Sequence, residues 1–223
     1  VNIAKKIKGI NPNVRTVFGG WHPTAVPYDC LAEEFVDQVV VGEGEDAFYK
    51  IISGESSELV HGTPFDINEI FPDRLLIKNY RTIDLAEKMI GKRVTSVQSN
   101  RVCPFNCTFC SERTISGRFN KITNPVRDRD PKHILEELKW LKNKYELNYF
   151  KFVDATWNTS TKKVIEFCEE KLRQRFDMPW EANIHCSFVT KEMLEIMKKS
   201  NCNQFNAGVE SGSQKILNDM KKG

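Results

Sequence analysis

Arg101-Val102-Cys103-Pro104-Phe105-Asn106-Cys107-Thr108-Phe109-Cys110-Ser111 is the stretch that decides how this chain is read. Three thiols fall within eight residues, with three residues between the first two and two between the last two. Three buried core thiols are the blander alternative, and it is weakened by Pro104, Asn106 and Thr108, which suit a loop better than a core strand. A structural zinc site wants four ligands, and here neither a fourth cysteine nor a histidine stands at a matching distance. The nearest downstream histidine, His133, falls on a predicted helix. A 4Fe–4S cluster held by three thiolates leaves one iron without a protein ligand. That open position can chelate a small molecule.

Downstream of the loop the pattern alternates between strand and helix. Asp130-Pro131 starts a helix with Pro at its first position, and Ile134, Leu135, Leu138 and Leu141 form its buried stripe. Tyr149–Val153 reads as a strand ending at Asp154, followed by a helix over 161–176 burying Val164, Ile165, Phe167, Cys168 and Leu172. Strands at 180–186 and 204–209 alternate with helices at 191–199 and 213–220. With a strand at 95–99 these make four strand–helix units, half of a closed eightfold barrel.

Upstream, a helix over 1–8, a strand at 14–18, a short helix near 29–35, a strand at 38–41 and a helix through Phe48, Ile51 and Ile52 also alternate. This pattern predicts a parallel sheet covered by helices. From about Gly54 to Val94 periodicity lapses, and Pro64 and Pro72 mark a surface linker. Gly42-x-Gly44-x-x-Ala47 imitates a dinucleotide fingerprint. Glu43, Glu45 and Asp46 would repel a pyrophosphate at that helix start, so the fingerprint is rejected.

The 223 residues suffice for one large domain or two small ones, and a net charge of +3 is too slight to argue for nucleic acid. No apolar run approaches a membrane span, and no signal peptide is visible. Four of the seven cysteines (Cys30, Cys168, Cys186, Cys202) stand singly, which argues against a disulfide framework and for a cytoplasmic chain with reduced thiols. Val1 stands inside a predicted helix with no initiator methionine, and the chain stops at Gly223 as a helix ends. The expectation is a fragment truncated at both ends.

The segment from Arg101 to Ser111 resembles the signature of the radical S-adenosylmethionine (SAM) enzymes in both spacings and in Phe109 before the third cysteine. The resemblance covers about 130 residues. It implies that Cys103, Cys107 and Cys110 hold a 4Fe–4S cluster, with Phe109 beside the cofactor. It also implies that the open iron binds the methionine moiety of SAM and that reductive cleavage yields a 5′-deoxyadenosyl radical. Asp154 reads either as a partner of the SAM amino group or as an N-cap of the next helix. Asn206-Ala207-Gly208-Val209-Glu210-Ser211-Gly212-Ser213 is similar to the family's fourth-strand segment. Glu210 and its neighbour Ser211 are thereby placed near SAM; Ser211 or Ser213 reads equally as a helix cap. His185, where relatives often carry a basic residue, reads equally as a core histidine.

Gly19-Gly20-x-His22-Pro23-Thr24 and Val39-Val40-Val41-Gly42-Glu43-Gly44-Glu45 resemble the later half of the cobalamin-binding domain that precedes the barrel in one large subfamily, and Phe71-Pro72-Asp73-Arg74 looks like its connector. In that subfamily the paired glycines, here Gly19 and Gly20, let the cofactor's nucleotide tail approach the backbone. The resulting expectation is α/β: residues 1–64 the C-terminal part of a Rossmann-like cobalamin-binding domain, 65–94 a linker, and 95–223 the first four units of a radical SAM barrel. The expected activity is methyl transfer or a cyclisation or rearrangement of a small molecule, with an electron donor such as a flavodoxin or ferredoxin. The alternative is a non-catalytic metal-binding or electron-transfer module.

Overall fold

Val39 and Val40, adjacent on one strand and both buried, point to opposite faces of a sheet, so both faces need cover. The structure, a computed structural model, describes residues 2–69, 71–76, 78–115 and 125–222. It divides into two units, Val1–Phe65 with Phe109–Pro125, and Asp66–Thr108 with Val126–Gly223.

In the first unit the elements run α1 (Asn2–Ile10), β1 (Val17–Phe18), α2 (Trp21–Ala25), α3 (Pro27–Leu31), β2 (Gln38–Val41), α4 (Gly44–Ile52) and β3 (Leu59–His61). The sheet is parallel in the order β1-β2-β3. Ala4, Cys30, Phe35 and Val36 cover the Val39 face, and Ala47 and Ile51 cover Val40 and Val60. The helix expected at 29–35 sits earlier, started by Pro27, and α2 precedes it. β3 lies in the stretch after Gly54 where the sequence periodicity lapses. It is three residues long, and only its pairing Val39↔Leu59, Val40↔Val60 and Val41↔His61 distinguishes it from a loop.

The second unit carries α5 (Asn79–Ile90), β4 (Val94–Val97), β5 (Asn100–Arg101), β6 (Arg127–Asp128), α7 (Pro131–Tyr145), β7 (Tyr149–Phe152), α8 (Thr161–Arg173), β8 (Trp180–Ile184), α9 (Lys191–Lys199), β9 (Cys202–Ala207) and α10 (Gln214–Asp219); the short α6 (Glu112–Ile115) is grouped with the first unit. Four parallel strands lie in the order β4-β7-β8-β9, each crossing over to the next through a helix. Asp130 caps α7 by accepting from Lys132 N at 2.7 Å, as its Asp-Pro start predicts. The predicted stripe of Ile134, Leu135, Leu138 and Leu141 is at most 1% exposed. Phe150, Phe152, Trp157, Phe167 and Trp180 fill the centre as an aromatic cluster with edge-to-face and stacked pairs.

Two expectations are corrected here. α5 is a twelve-residue helix inside the predicted linker, ended by Gly91 in the left-handed conformation, with Ile83 as its buried anchor. On α8 Leu172 is 41% exposed, while Lys163 and Lys171 are buried instead.

The segment Phe71-Pro72-Asp73-Arg74 is bound to α7 and β4. Arg74 donates to Glu137 from Nε at 3.2 Å and Nη2 at 2.7 Å, and to Ser96 O at 3.0 Å. Arg129 takes the other Glu137 oxygen at 2.6 Å, so one buried carboxylate is shared by two guanidinium groups. Phe71 packs on the His133 ring with centroids 3.8 Å apart.

Candidate cofactor site

The cysteine loop leaves β4 and β5 at the carboxyl ends of the parallel strands, the end where (β/α) architectures build their sites. Its stem is fixed by Asp154, just past β7. One carboxylate oxygen accepts from Ser99 N and Asn100 N, each at 2.8 Å, and the other from Ser99 Oγ at 2.8 Å. Asp154 is 2% exposed. Burial pushes its carboxyl up, while the nearby Lys163 ammonium and the N–H donors pull the other way. The cap of α8 is Ser160, whose Oγ accepts from Lys163 N at 3.2 Å, so the N-cap reading of Asp154 is corrected. Asp154 is too far back along the chain and already spent on the stem.

Lys163 completes the stem. Its Nζ lies 2.8 Å from Asp128 and donates to Ser99 Oγ at 3.2 Å. Asp128 in turn belongs to β6, which pairs with β5 directly before the loop. Burial lowers the Lys163 pKa, and Asp154 and Asp128 oppose that. Val102, 4% exposed and left-handed at φ 75, turns the chain into the loop.

At the loop itself Cys103 is half-buried, Cys107 buried and Cys110 exposed, and none of the seven cysteines forms a disulfide. Phe105 stacks on His185 with ring centroids 3.4 Å apart and an interplanar angle of 14°, and touches Phe188 at 5.0 Å. The donor set suits a thiolate-bound cluster at this loop. Elsewhere burial pushes the Cys168 thiol up to about 12 and that of Cys202 to about 11, which keeps both protonated and poor metal ligands. His133 accepts from Arg129 at Nδ1 and is covered by Phe71. Among the described residues no set of three His, Cys, Asp or Glu side chains converges as a single bound ion would need.

The His185 side chain, 6% exposed, accepts from Ser187 N through Nδ1 at 3.3 Å, while its Nε2 is buried without a partner. It is therefore not a satisfied core histidine. Glu210 follows β9 in a left-handed conformation at φ 62, on the surface, with Lys222 Nζ 3.4 Å from its carboxylate. Ser211 Oγ accepts from Ser213 N at 3.1 Å, and Ser213 occupies the N-cap position of α10 without a side-chain cap bond.

In the first unit Gly20 has φ 96, a conformation that a side chain disfavours, and a methyl group on Gly19 would meet Val40 at 3.5 Å. Gly42 N donates to Thr24 Oγ1 at 3.1 Å, which joins the two glycine segments. A Cβ on Gly62 would lie 1.7 Å from Glu43 O, so the second segment packs directly against the backbone after β3.

Sequence reasoning missed Asn158, Lys163 and Lys171. Asn158 carries no pattern at all, since its partner His185 lies 27 residues away. The lysines had a signal: at i and i+8 they share the helical face of Val164, Phe167 and Cys168.

Residues 97–223 match the family described as the Radical SAM superfamily, and residues 1–52 the B12 binding domain. An uncharacterised methyltransferase of Pyrococcus horikoshii is 30% identical over 99% of this chain and 50% of its own length. An anaerobic magnesium-protoporphyrin IX monomethyl ester cyclase of Rubrivivax gelatinosus is 26% identical over 96% of this chain and 42% of its own. The chain thus spans about half the length of the curated relatives it matches. Among solved structures, the radical SAM methyltransferase TsrM from Kitasatospora setae, with cobalamin and a [4Fe–4S] cluster bound, superposes with a TM-score of 0.67 at 16% identity, covering 97% of this chain and 46% of that one.

Proposed function

The chain belongs to the Radical SAM superfamily, whose cofactors are a 4Fe–4S cluster and SAM, and from that premise we propose that it cleaves SAM reductively at a cluster held by Cys103, Cys107 and Cys110. The observation that carries this is the three-thiol loop, its stem locked to the carboxyl ends of the strands by Asp154. When bound, cluster and SAM supply one-electron cleavage and hydrogen abstraction. The chain's own residues bind and orient. Asp154, Lys163 and Ser99 hold the stem, Phe109, Glu210 and Ser211 are assigned to SAM, and Gly19 and Gly20 to cobalamin, in keeping with the B12-binding match. We assign residues 1–64 to the cobalamin-binding domain, 65–94 to the connector and 95–223 to the barrel. The reaction is methyl transfer to, or cyclisation or rearrangement of, a small molecule. A cytoplasmic flavodoxin- or ferredoxin-type donor supplies the electron.

Anaerobic reconstitution with iron and sulfide tests this reading. About four irons per chain and reductive SAM cleavage are expected, both lost in Cys107→Ala. One zinc per chain without SAM turnover would overturn it in favour of a non-catalytic metal module.

A further inference from the structure

The hydrogen bonds around His185 form a circuit that begins and ends on the cysteine loop's own segment. Asn100, three residues before Cys103, donates through Nδ2 to Thr156 O at 3.0 Å. Thr156 Oγ1 donates to Asn158 Oδ1 at 3.1 Å. The Asn158 amide then clamps the His185 backbone from both sides: Oδ1 accepts from His185 N at 2.7 Å, and Nδ2 donates to His185 O at 2.9 Å. The imidazole lies flat on Phe105, midway between Cys103 and Cys107. Asn158 is wholly buried, so the clamp has no water to exchange with.

We propose that His185 is a positioning residue for the cysteine loop: seated by Asn158, its ring fixes Phe105 and thereby the placement of Cys103 and Cys107. The Ser187 N–H at Nδ1 leaves the ring proton on Nε2 in the neutral form. Burial, reinforced by Lys222, holds the imidazole at a pKa of about 4, so the stack is a neutral aromatic pair at physiological pH. A buried Nε2–H without a partner carries a penalty that an aliphatic side chain would avoid. The flat face toward Phe105 is what an aliphatic residue could not supply. The proposal rests on the reading of the loop as the cluster site, but its first test does not.

In metal-free full-length chain, the alkylation rate of Cys107 is measured by mass spectrometry for wild type, His185→Phe, His185→Ala, Phe105→Ala and the double alanine variant. Cys107 is 7% exposed, so its reactivity reports opening of the loop. His185→Ala and Phe105→Ala are expected to react up to about tenfold faster, the factor to which ~1.4 kcal/mol of lost stacking converts. His185→Phe, which keeps a ring of similar shape, stays at the wild-type rate, and the double variant is no faster than either single one. Equal rates in all five chains, or additive single effects, overturn the proposal. After reconstitution, His185→Phe is expected to keep the wild-type electron paramagnetic resonance line shape, while both alanine variants share one altered shape and release iron to a chelator faster. A wild-type chain that takes up no iron defeats the reading of the loop, and the alkylation rates still decide the role of His185.

Discussion

Lys163 and Lys171 sit eight residues apart on one helix, both buried, at opposite ends of the same parallel strands. Lys163 faces the carboxyl ends and is held among Asp128, Asp154 and Ser99. Lys171 faces the amino ends and has no carboxylate at bonding distance among the described residues. Its Nζ donates to Ser200 O at 2.8 Å, an oxygen that also accepts from Trp180 Nε1 at 3.0 Å. One lysine is part of a charged circuit that braces a loop, and the other is a polar tip on a hydrophobic floor. The difference teaches where this unit accepts electrostatic risk. At the site end it spends buried charge on geometry, and at the far end it relies on packing of Trp180, Phe167 and Met197.

The largest expected effect breaks the first half of that comparison. Lys163→Met costs the exposed Asp128 its ion pair and leaves the buried Asp154 carboxylate without its nearby cation, and an uncompensated buried charge typically destabilises by about 3–5 kcal/mol. Chemical denaturation should show that loss together with reduced iron uptake. Unchanged stability would mean that the Asp154 carboxylate is satisfied by its two N–H donors and the Ser99 hydroxyl.

Arg74→Ala should weigh less. Glu137 keeps Arg129, so the expected loss is about 2 kcal/mol, the scale of charge-assisted hydrogen bonds. A loss as large as that for Lys163→Met would show that the two arginines are not redundant partners of one carboxylate.

Lys171→Met is expected to shift stability by less than about 1.5 kcal/mol in either direction, as volume-conserving core exchanges do. Ser200 O retains Trp180, and no carboxylate is orphaned. Its signature is in pH. Burial depresses the Lys171 pKa to about 8, against about 10.4 for an unfolded lysine. Between those values the unfolded chain binds more protons at Lys171, so this lysine adds stability as pH rises from about 8 to 10, while the buried Cys168 and Cys202 thiols act in the opposite direction. The methionine variant should lose that gain. A stability difference between wild type and the methionine variant that does not rise over this window would overturn the assignment.

Much of the fold was legible because its signals are local. Asp130-Pro131 marks a helix start by its own chemistry, and the Ile134–Leu141 stripe follows the helical period. The cysteine spacing is equally local, and the cofactor role proposed for that loop rests on it. β3 and α5 escaped because their evidence is not local. Leu59-Val60-His61 becomes a strand only by pairing with β2, and α5 exposes Leu85, Met89 and Ile90 while burying Ile83. The site's supports escaped for the same reason. Asp154 reaches Ser99 across 55 residues, and Asn158 reaches His185 across 27, with no periodicity linking them. Lysine on a helix reads as a solvent face by default, and only the tertiary placement of its partners reverses that.

Val102 gives the loop a property that matters to anyone wishing to transplant it. A β-branched residue held at φ 75 carries roughly 1–3 kcal/mol of backbone strain, and here its side chain is buried. Three cysteines grafted onto a foreign scaffold would import that strain without the pocket that compensates it. The portable module therefore starts at Ser99, and it includes the ends of β7 and β8 that hold the loop in place.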